Sequence, residues 1–285
     1  MTKLTTVRDA DEVVATWETS SQYWKKHQAT IETMFAPLTR ALVTAADLRS
    51  GQSILDIGGG SGEPSLTLSA IVGESGGVTY TDPAAGMVQT ARNEAERRGL
   101  SNITFHQSPA ERLPFPDNTF DVVVGRLSAM FFVNPKSALG EILRVTKPGG
   151  RIVLLVWGSR EANPFFSVIS EVLDQFVPAE PEDEDAPTAF RFARPGKLAK
   201  VFTDAGAIEV TEETVPFRIE DPIDIEGFWT LRTEMSDTFR SKLAQLNSNE
   251  VAAVKAATAQ AVSGFFENGN MDFPAQVLIV SGQKK

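Results

Sequence analysis

The stretch Ile54-Leu55-Asp56-Ile57-Gly58-Gly59-Gly60-Ser61-Gly62 decides the fold. Ile54, Leu55 and Ile57 are the apolar residues of a buried strand that carries an acid, Asp56, near its end. The glycines that follow read as a strand-to-helix turn, because they remove the Cβ atoms that would hinder a positive φ or a ligand's approach. Three ligands compete for such a turn. A phosphate-cradling loop needs Gly-Lys-Ser/Thr after the glycines, whereas Gly62 is followed by Glu63 and Pro64. A dinucleotide fingerprint, G-x-G-x-x-G, puts Glu63 in the third glycine position counted from Gly58 and Ser65 there counted from Gly60. A carboxylate at the turn also repels a pyrophosphate. What remains is Asp56-x-Gly58-x-Gly60-x-Gly62, followed twenty residues after Gly62 by Asp82 at the end of a second strand, Val78 to Thr81. An acid there can accept both hydroxyls of a ribose, so a nucleoside-type cofactor is expected across the loop.

Outward from this centre the pattern alternates. Strands are predicted at 52–57, 77–81, 102–106, 119–124 and 150–157, with helices at 63–73, 84–98 and 135–145 between them, which implies an α/β fold with a parallel sheet and helices on both faces. Lys147-Pro148-Gly149-Gly150 reads as a turn. Before the core, Val13, Val14, Trp17, Ile31, Met34, Phe35, Leu38 and Leu42 recur near helical spacing and predict two leader helices within 8–47. After Trp157 the alternation lapses into helices at 164–177 and 195–205, a strand at 208–219, a largely helical excursion over 221–268 and a last strand at 276–281. Asn247 with Glu250 reads as a capping box that starts a helix near Ser248.

These residues resemble the class I S-adenosylmethionine-dependent methyltransferases, in particular their ubiquinone and menaquinone biosynthesis branch. Four signals between Gln52 and Trp157 carry the resemblance, in order: Leu55 to Pro64; Tyr80-Thr81-Asp82-Pro83 with Met87 five residues past Asp82; Ala110 to Asp121; and Arg144 to Arg151. The resemblance implies a doubly wound, mostly parallel, seven-stranded sheet whose last strand is antiparallel between two others, with S-adenosylmethionine as cofactor. It also implies one methyltransferase domain over 1–285: a helical leader at 1–48, the cofactor-binding core at 50–158, helices, an acidic loop and a sheet strand at 159–218, a helical cap insertion at 219–272 and a terminal strand at 273–285.

Carried over position by position, the resemblance gives Gly58, Gly59 and Gly60 to the methionine part of the cofactor, braced by Asp56, which helps neutralise its amino group. Asp82 and the neighbouring Pro83 go to the ribose. Met87 packs on the adenine, where a polarizable thioether suits a ring; ordinary core packing is its rival reading. The family often carries Asp where Pro109 stands, so an adenine contact falls to the main-chain N–H of Ala110 and a weaker one is expected; Glu111 is the next cofactor-binding residue. Gly125 and Arg126 follow the fourth core strand, and Arg126 either clamps a carboxylate or is a surface charge.

The expected reaction is methyl transfer to carbon or oxygen of a small apolar or aromatic acceptor. Arg126-Leu127-Ser128-Ala129 stands where the N-methylating relatives carry Asn/Asp-Pro-Pro-Tyr, which disfavours nitrogen acceptors of that type. Two rivals are a protein of this fold that binds S-adenosylmethionine without methylating, as a binding module or a cyclase, and a nicotinamide oxidoreductase. Because the sulfonium is already activated, a catalytic base is needed only where the acceptor must lose a proton. The candidates are His27, beside Tyr23 and Trp24, and Glu32; His106 reads as structural or exposed.

A net charge of −10 argues against nucleic-acid partners, which demand clustered Lys and Arg. The one dense charge run, Glu180 to Asp185, is acidic and reads as a solvated loop. The absence of cysteine excludes disulfides, thiolate nucleophiles and cysteine zinc sites; no metal is expected, and the cytoplasm is the expected compartment. No stretch reaches the roughly 20 apolar residues that span a bilayer. The partner expected is a small-molecule acceptor, and the composition is compatible with a homodimer.

Overall fold

The apolar run ahead of the glycines forms β1 (Ser53–Ile57), with every residue after Ser53 buried. The computed structural model describes residues 10–178 and 183–285, so Glu180 and Glu182 of the acidic run lie outside the described residues. The other strands are β2 (Gly77–Asp82), β3 (Ile103–Gln107), β4 (Phe120–Arg126), β5 (Thr146–Trp157), β6 (Ile208–Asp221), the two-residue β7 (Phe266–Glu267) and β8 (Asn270–Gln283). They lie in the order β3-β2-β1-β4-β5-β8-β6, a seven-stranded path with β7 paired to β8 beside it. The pairs β1–β2, β1–β4, β2–β3 and β4–β5 are parallel, and β8 runs antiparallel between β5 and β6. The α/β class, the mostly parallel sheet and the antiparallel last strand are therefore as the sequence implied.

The helices are α1 (Ala10–Lys26), α2 (Gln28–Ala46), α3 (Ser65–Val72), α4 (Ala85–Arg97), α5 (Pro135–Val145), α6 (Pro164–Asp174), α7 (Lys197–Ala205), α8 (Ile225–Met235), α9 (Asp237–Leu243) and α10 (Ser248–Val262). The stripe Ile31, Met34, Phe35, Leu38 and Leu42 of α2 is buried, because residues three and four apart share one helix face. The capping box of α10 is present as read: the Asn247 side chain accepts from the Glu250 N–H at 3.1 Å, and Glu250 Oε2 accepts from the Asn247 N–H at 2.8 Å.

Two elements differ from the sequence reading. Lys147 to Gly150 is not a free turn but part of β5. Phe120 faces Thr146 and Val122 faces Arg151, so the surplus residues form an irregularity in the ladder. Gly149 takes φ 73° there, and its N–H reaches Lys284 O at 2.9 Å while the Lys284 N–H reaches Gly150 O at 3.0 Å. The breakers are tolerated because a glycine takes the left-handed position and the returning chain satisfies the backbone.

The last strand starts at Asn270 rather than near residue 276, and pairs with β6 from Met271 onward. Met271, Phe273 and Ala275 alternate inward and are buried, which is the period-2 signal for a strand; Pro274 between them disguises it. Since β5 faces only Val277 to Gln283 of β8, the β6–β8 pair overshoots β5 at its carboxyl end. Phe165 of α6 and Phe228 of α8 pack on Phe273 of this overhang at 5.6 and 5.2 Å between ring centres, seating both helices on the sheet. Chain order reverses at β1, flanked by β2 and β4, and open α/β sheets hold ligands at the carboxyl ends beside such a reversal.

Candidate functional site

The carboxyl ends of β1, β2 and β4 deliver Gly58, Asp82 and Arg126 to one cavity, roofed by α1 and by the short 3₁₀ turn Ala129–Phe131. Of the residues singled out from the sequence, Gly58, Gly59, Gly60, Asp82, Pro83, Met87, Ala110, Glu111 and Arg126 line it together. Pro109 lines it as well.

The loop is built for close approach. Gly58 takes φ 68° and Gly60 φ 55°, and a Cβ on Gly59 would stand 2.4 Å from the Tyr80 ring and 2.8 Å from Asp56 Oδ2. Behind the loop the Tyr80 hydroxyl donates to Gly60 O at 2.6 Å, and the Ser65 hydroxyl donates to Asp56 Oδ2 at 2.6 Å. In front of it, a Cβ on Gly60 would meet nothing within 4 Å. The loop is thus held from behind and open toward the cavity.

Asp82 is 7% exposed. Its Oδ2 accepts from the Gly60 N–H at 3.1 Å and its Oδ1 from the Ala84 N–H at 2.9 Å, which leaves each oxygen an acceptor position for a further donor. Burial pushes its carboxyl up to about 6, against the opposing pull of those two N–H donors. Asp56 is fully buried beneath the loop and does not line the cavity; burial pushes it to about 7, and its Oδ1 has no partner. Its position is that of a brace.

Arg126 faces the cavity but is already bonded on other sides. Its Nη1 donates to Thr39 Oγ1 at 2.8 Å and to Phe35 O at 3.3 Å, and its Nη2 donates to Glu63 O at 3.0 Å. Burial lowers its pKa, partly opposed by the nearby Glu63, Asp56 and Glu32 carboxyls. It ties α2 to the loop. Gly125 lies beneath the lining, where a Cβ would stand 2.8 Å from Ser128 Oγ and from Leu154.

The two base candidates stand apart from the cavity lining. His27 Nε2 is 2.5 Å from Glu234 Oε2 of α8, with Lys26 Nζ 2.6 Å from the other oxygen, so this pair joins the leader to the cap. Glu32 pairs with Arg98 at 2.6 Å.

Sequence reasoning missed three polar groups, one of them the buried Glu63 Oε2, which lies on the cavity lining and has no partner. Ser128 is 8% exposed with no partner for its hydroxyl, and Trp24 Nε1 is buried without an acceptor; both residues line the cavity. Buried donors in native proteins are nearly always bonded, so two in the lining of one cavity point to a ligand. Around them stand Trp17, Phe35, Phe131 and Phe132, with Trp17 4.9 Å from Phe131 and 5.8 Å from Trp24 between ring centres. Their place in the leader and just after the fourth core strand is the only sequence signal they give. The open side of the loop, the free acceptor positions of Asp82 and the two unbonded donors together fit an adenosyl cofactor with a second, apolar compartment beside it.

Residues 55–154 match the family model of the methyltransferase domain. The matched segment runs from β1 into β5. Ubiquinone/menaquinone biosynthesis C-methyltransferases UbiE are its relatives: that of Azotobacter vinelandii is 36% identical over 138 residues, covering 48% of this chain and 53% of the relative. That of Hahella chejuensis is 40% identical over 134 residues, covering 47% and 53%. The chain thus spans about half the length of the curated relatives it matches. Among solved structures, an S-adenosylmethionine-dependent methyltransferase from Aquifex aeolicus superposes with a TM-score of 0.53 at 24% identity, covering 69% of this chain and 91% of that one. The [4+2]-cyclase SpnF superposes equally well, with a TM-score of 0.53 at 18% identity over 93% and 96% of the two chains. Both likenesses show the fold of the methyltransferase domain; the second shows that this fold is also shared by a cyclase.

Proposed function

We propose that this chain transfers the methyl group of S-adenosylmethionine to a carbon or oxygen of a small aromatic or apolar acceptor. The observation that carries the reading is the sharing of one cavity by Asp82, the glycine loop and the wall of Trp17, Trp24, Phe35, Phe131 and Phe132. The relatives' C-methyltransferase activity favours carbon.

When bound, the cofactor supplies an activated methyl group on a sulfonium. Asp82 would hold the ribose hydroxyls, the main chain of Gly58 to Gly60 the methionine part, and Met87 with Ala110 and Glu111 the adenine. The aromatic wall excludes water from the remaining space and offers an acceptor ring edge-to-face contacts. Trp24 Nε1 and Ser128 Oγ orient an acceptor oxygen by donating to it. His27 and Glu32 act through the fold in this reading, since both are paired outside the cavity lining. The cysteine-free composition favours the cytoplasm as its place of action.

The decisive experiment incubates the protein with methyl-labelled S-adenosylmethionine and a panel of phenol, quinol and polyketide-like acceptors. Labelled product is expected. Tight binding of the donor with no transfer across the panel would favour a binding module or a cyclase instead.

Trp24→Phe keeps the ring and removes one donor. Its expected effect is an acceptor KM raised about fivefold, the worth of one neutral hydrogen bond of roughly 1 kcal/mol, with S-adenosylhomocysteine affinity unchanged. An unaltered KM would remove Trp24 from the acceptor contacts.

The raised pKa of Asp82 gives opposite pH slopes. Accepting two hydroxyls requires the ionised carboxylate, so S-adenosylhomocysteine affinity should rise with pH through about 6 and be about tenfold weaker at pH 5 than at pH 7. For the ligand-free fold the sign reverses. Between the ordinary carboxylate range and about 6 to 7 the native state holds protons on Asp82 and Asp56 that the unfolded chain has released, so stability falls as pH rises through that window. The carboxyls held low by arginine, Glu94 and Glu141, contribute the opposite slope at more acidic pH. Calorimetric titration and denaturant unfolding between pH 5 and 7 read the two slopes; parallel slopes would remove Asp82 from the ribose contact.

A further inference from the structure

Glu63 stands where the glycine loop gives way to α3, and its side chain is 8% exposed. It lines the cavity together with Trp24, Phe35, Arg126 and Ser128. Its Oε1 is 3.5 Å from Arg98 Nη1, whereas its Oε2 is buried and has no donor. Arg126 Nη2 donates to the Glu63 main-chain oxygen, and the same guanidinium donates to Phe35 O and lies 5.9 Å from the centre of the Phe35 ring. One arginine thus fixes Glu63 next to the aromatic wall. Glu63 also borders a small second cavity, with Gln28, Ile31, Glu32, Ser61 and Arg126. The Glu32 side chain there is 40% exposed, so this second space leads from Glu63 toward solvent. Burial pushes the Glu63 carboxyl above its ordinary range; the Thr67 hydroxyl, Arg126 and Arg98 oppose the rise and Glu32 adds to it. Asp56, whose own carboxyl Glu63 helps push up, is the other acid near it. The three unbonded groups of the cavity lining differ in kind. Trp24 Nε1 and Ser128 Oγ can donate, whereas an ionised Glu63 Oε2 can only accept. A hydroxyl answers both kinds, because its oxygen accepts while its hydrogen is donated.

We infer that Glu63 Oε2 is the base that takes the proton of an acceptor hydroxyl as the methyl group is transferred. This rests on the methyl-transfer reading and adds to it the group that removes the proton. The O–H bond breaks and its proton goes to Oε2. The freed electron pair, on the oxygen or delocalised onto a ring or enol carbon, forms the bond to the methyl carbon. The pair of the broken carbon–sulfur bond stays on sulfur, which ends neutral. Where carbon is methylated, Glu63 returns its proton to the oxygen and receives the one that the methylated carbon sheds. Either way Glu63 ends with one proton, and the second cavity gives it a way out on the side away from the acceptor. A carboxyl raised by burial is a stronger base than an exposed one, which suits this task.

The test compares the wild type with Glu63→Gln, which keeps the shape and loses the base. With phenol, a weakly acidic acceptor, kcat should fall about a hundredfold, while S-adenosylhomocysteine affinity stays unchanged. The deficit should shrink to a few-fold with 4-nitrophenol at a pH where that acceptor arrives already ionised; a merely structural role would cost both acceptors equally. Glu63→Asp should recover part of the rate with phenol. A second readout needs no turnover. On protein saturated with S-adenosylhomocysteine, phenol should bind more tightly than anisole, and the preference should weaken as pH falls and Glu63 takes up a proton of its own. That pH dependence should vanish in Glu63→Gln, which retains Asp82 and so isolates the one carboxyl. An unchanged kcat in Glu63→Gln, an equal loss with both acceptors, or the same pH dependence of phenol binding in both proteins overturns the inference. Weaker S-adenosylhomocysteine binding by Glu63→Gln does so as well, since it marks a donor contact. A wild type that methylates no acceptor is a different result: it sinks the methyl-transfer reading, and the comparison of phenol with anisole still decides whether Glu63 meets a hydroxyl in the cavity.

Discussion

Replacing Asp82 with alanine is expected to weaken S-adenosylhomocysteine binding at least tenfold, about 1.4 kcal/mol, and to leave the fold intact. The carboxylate offers one free acceptor position on each oxygen at the end of β2, and each hydrogen bond from a ribose hydroxyl to an ionised acceptor contributes about 1.5 to 3 kcal/mol. Truncation also releases the N–H groups of Gly60 and Ala84, so part of the loss is looser loop geometry. Asp82→Asn separates the two effects. It retains an acceptor for one of the two main-chain N–H groups and presents no charge, so it should bind weakly while keeping more of the wild-type melting temperature than Asp82→Ala does. Calorimetric titration of both variants is the measurement, and unchanged affinity in Asp82→Ala would remove the residue from the site.

Arg126→Met is expected to have the largest effect on stability, a loss of about 3 kcal/mol. The substitution leaves Phe35 O, Thr39 Oγ1 and Glu63 O without their donor, and takes a neighbouring positive charge away from Glu63 and Asp56, both already pushed up by burial. Protonation of those two acids recovers part of the loss, so the destabilisation should be smaller at pH 5.5 than at pH 8. Because the guanidinium joins α2 to the loop, donor affinity should fall along with the denaturation midpoint. A variant as stable as the wild type but unable to bind the donor would instead make Arg126 a ligand contact alone.

The sheet and the loop were legible because both are encoded locally. A five-residue apolar strand, spaced glycines and an acid after a second strand keep their meaning whatever the rest of the chain does, and the structure brings Gly58 to Gly60 and Asp82 together around one cavity. The tie made by Arg126 was not legible: its partners stand 91, 87 and 63 residues away, and two of them are main-chain carbonyls that no side-chain pattern announces. His27 drew notice as one of two histidines beside aromatic neighbours, yet its partner Glu234 is 207 residues on. Trp24 and Ser128 gain meaning only from the lack of an acceptor or donor nearby, a property of three-dimensional packing. Within the cap, helix-forming residues were evident, whereas the overhang of β8 was hidden by Pro274, which sits where β6 accommodates it opposite Arg218.

The placement of β8 between β5 and β6 bears on how the molecule is made. Residues up to Gln283 fill an interior slot of the sheet, so the nascent chain cannot complete its hydrogen-bond ladder until β8, far beyond β5 in the chain, has emerged from the ribosome. Until then β5 offers an unpaired edge, and β6 has nothing to dock on, a period in which chaperone binding or mispairing between chains competes with closure. Deleting Val277 to Gln283 would therefore split the sheet open rather than trim its border.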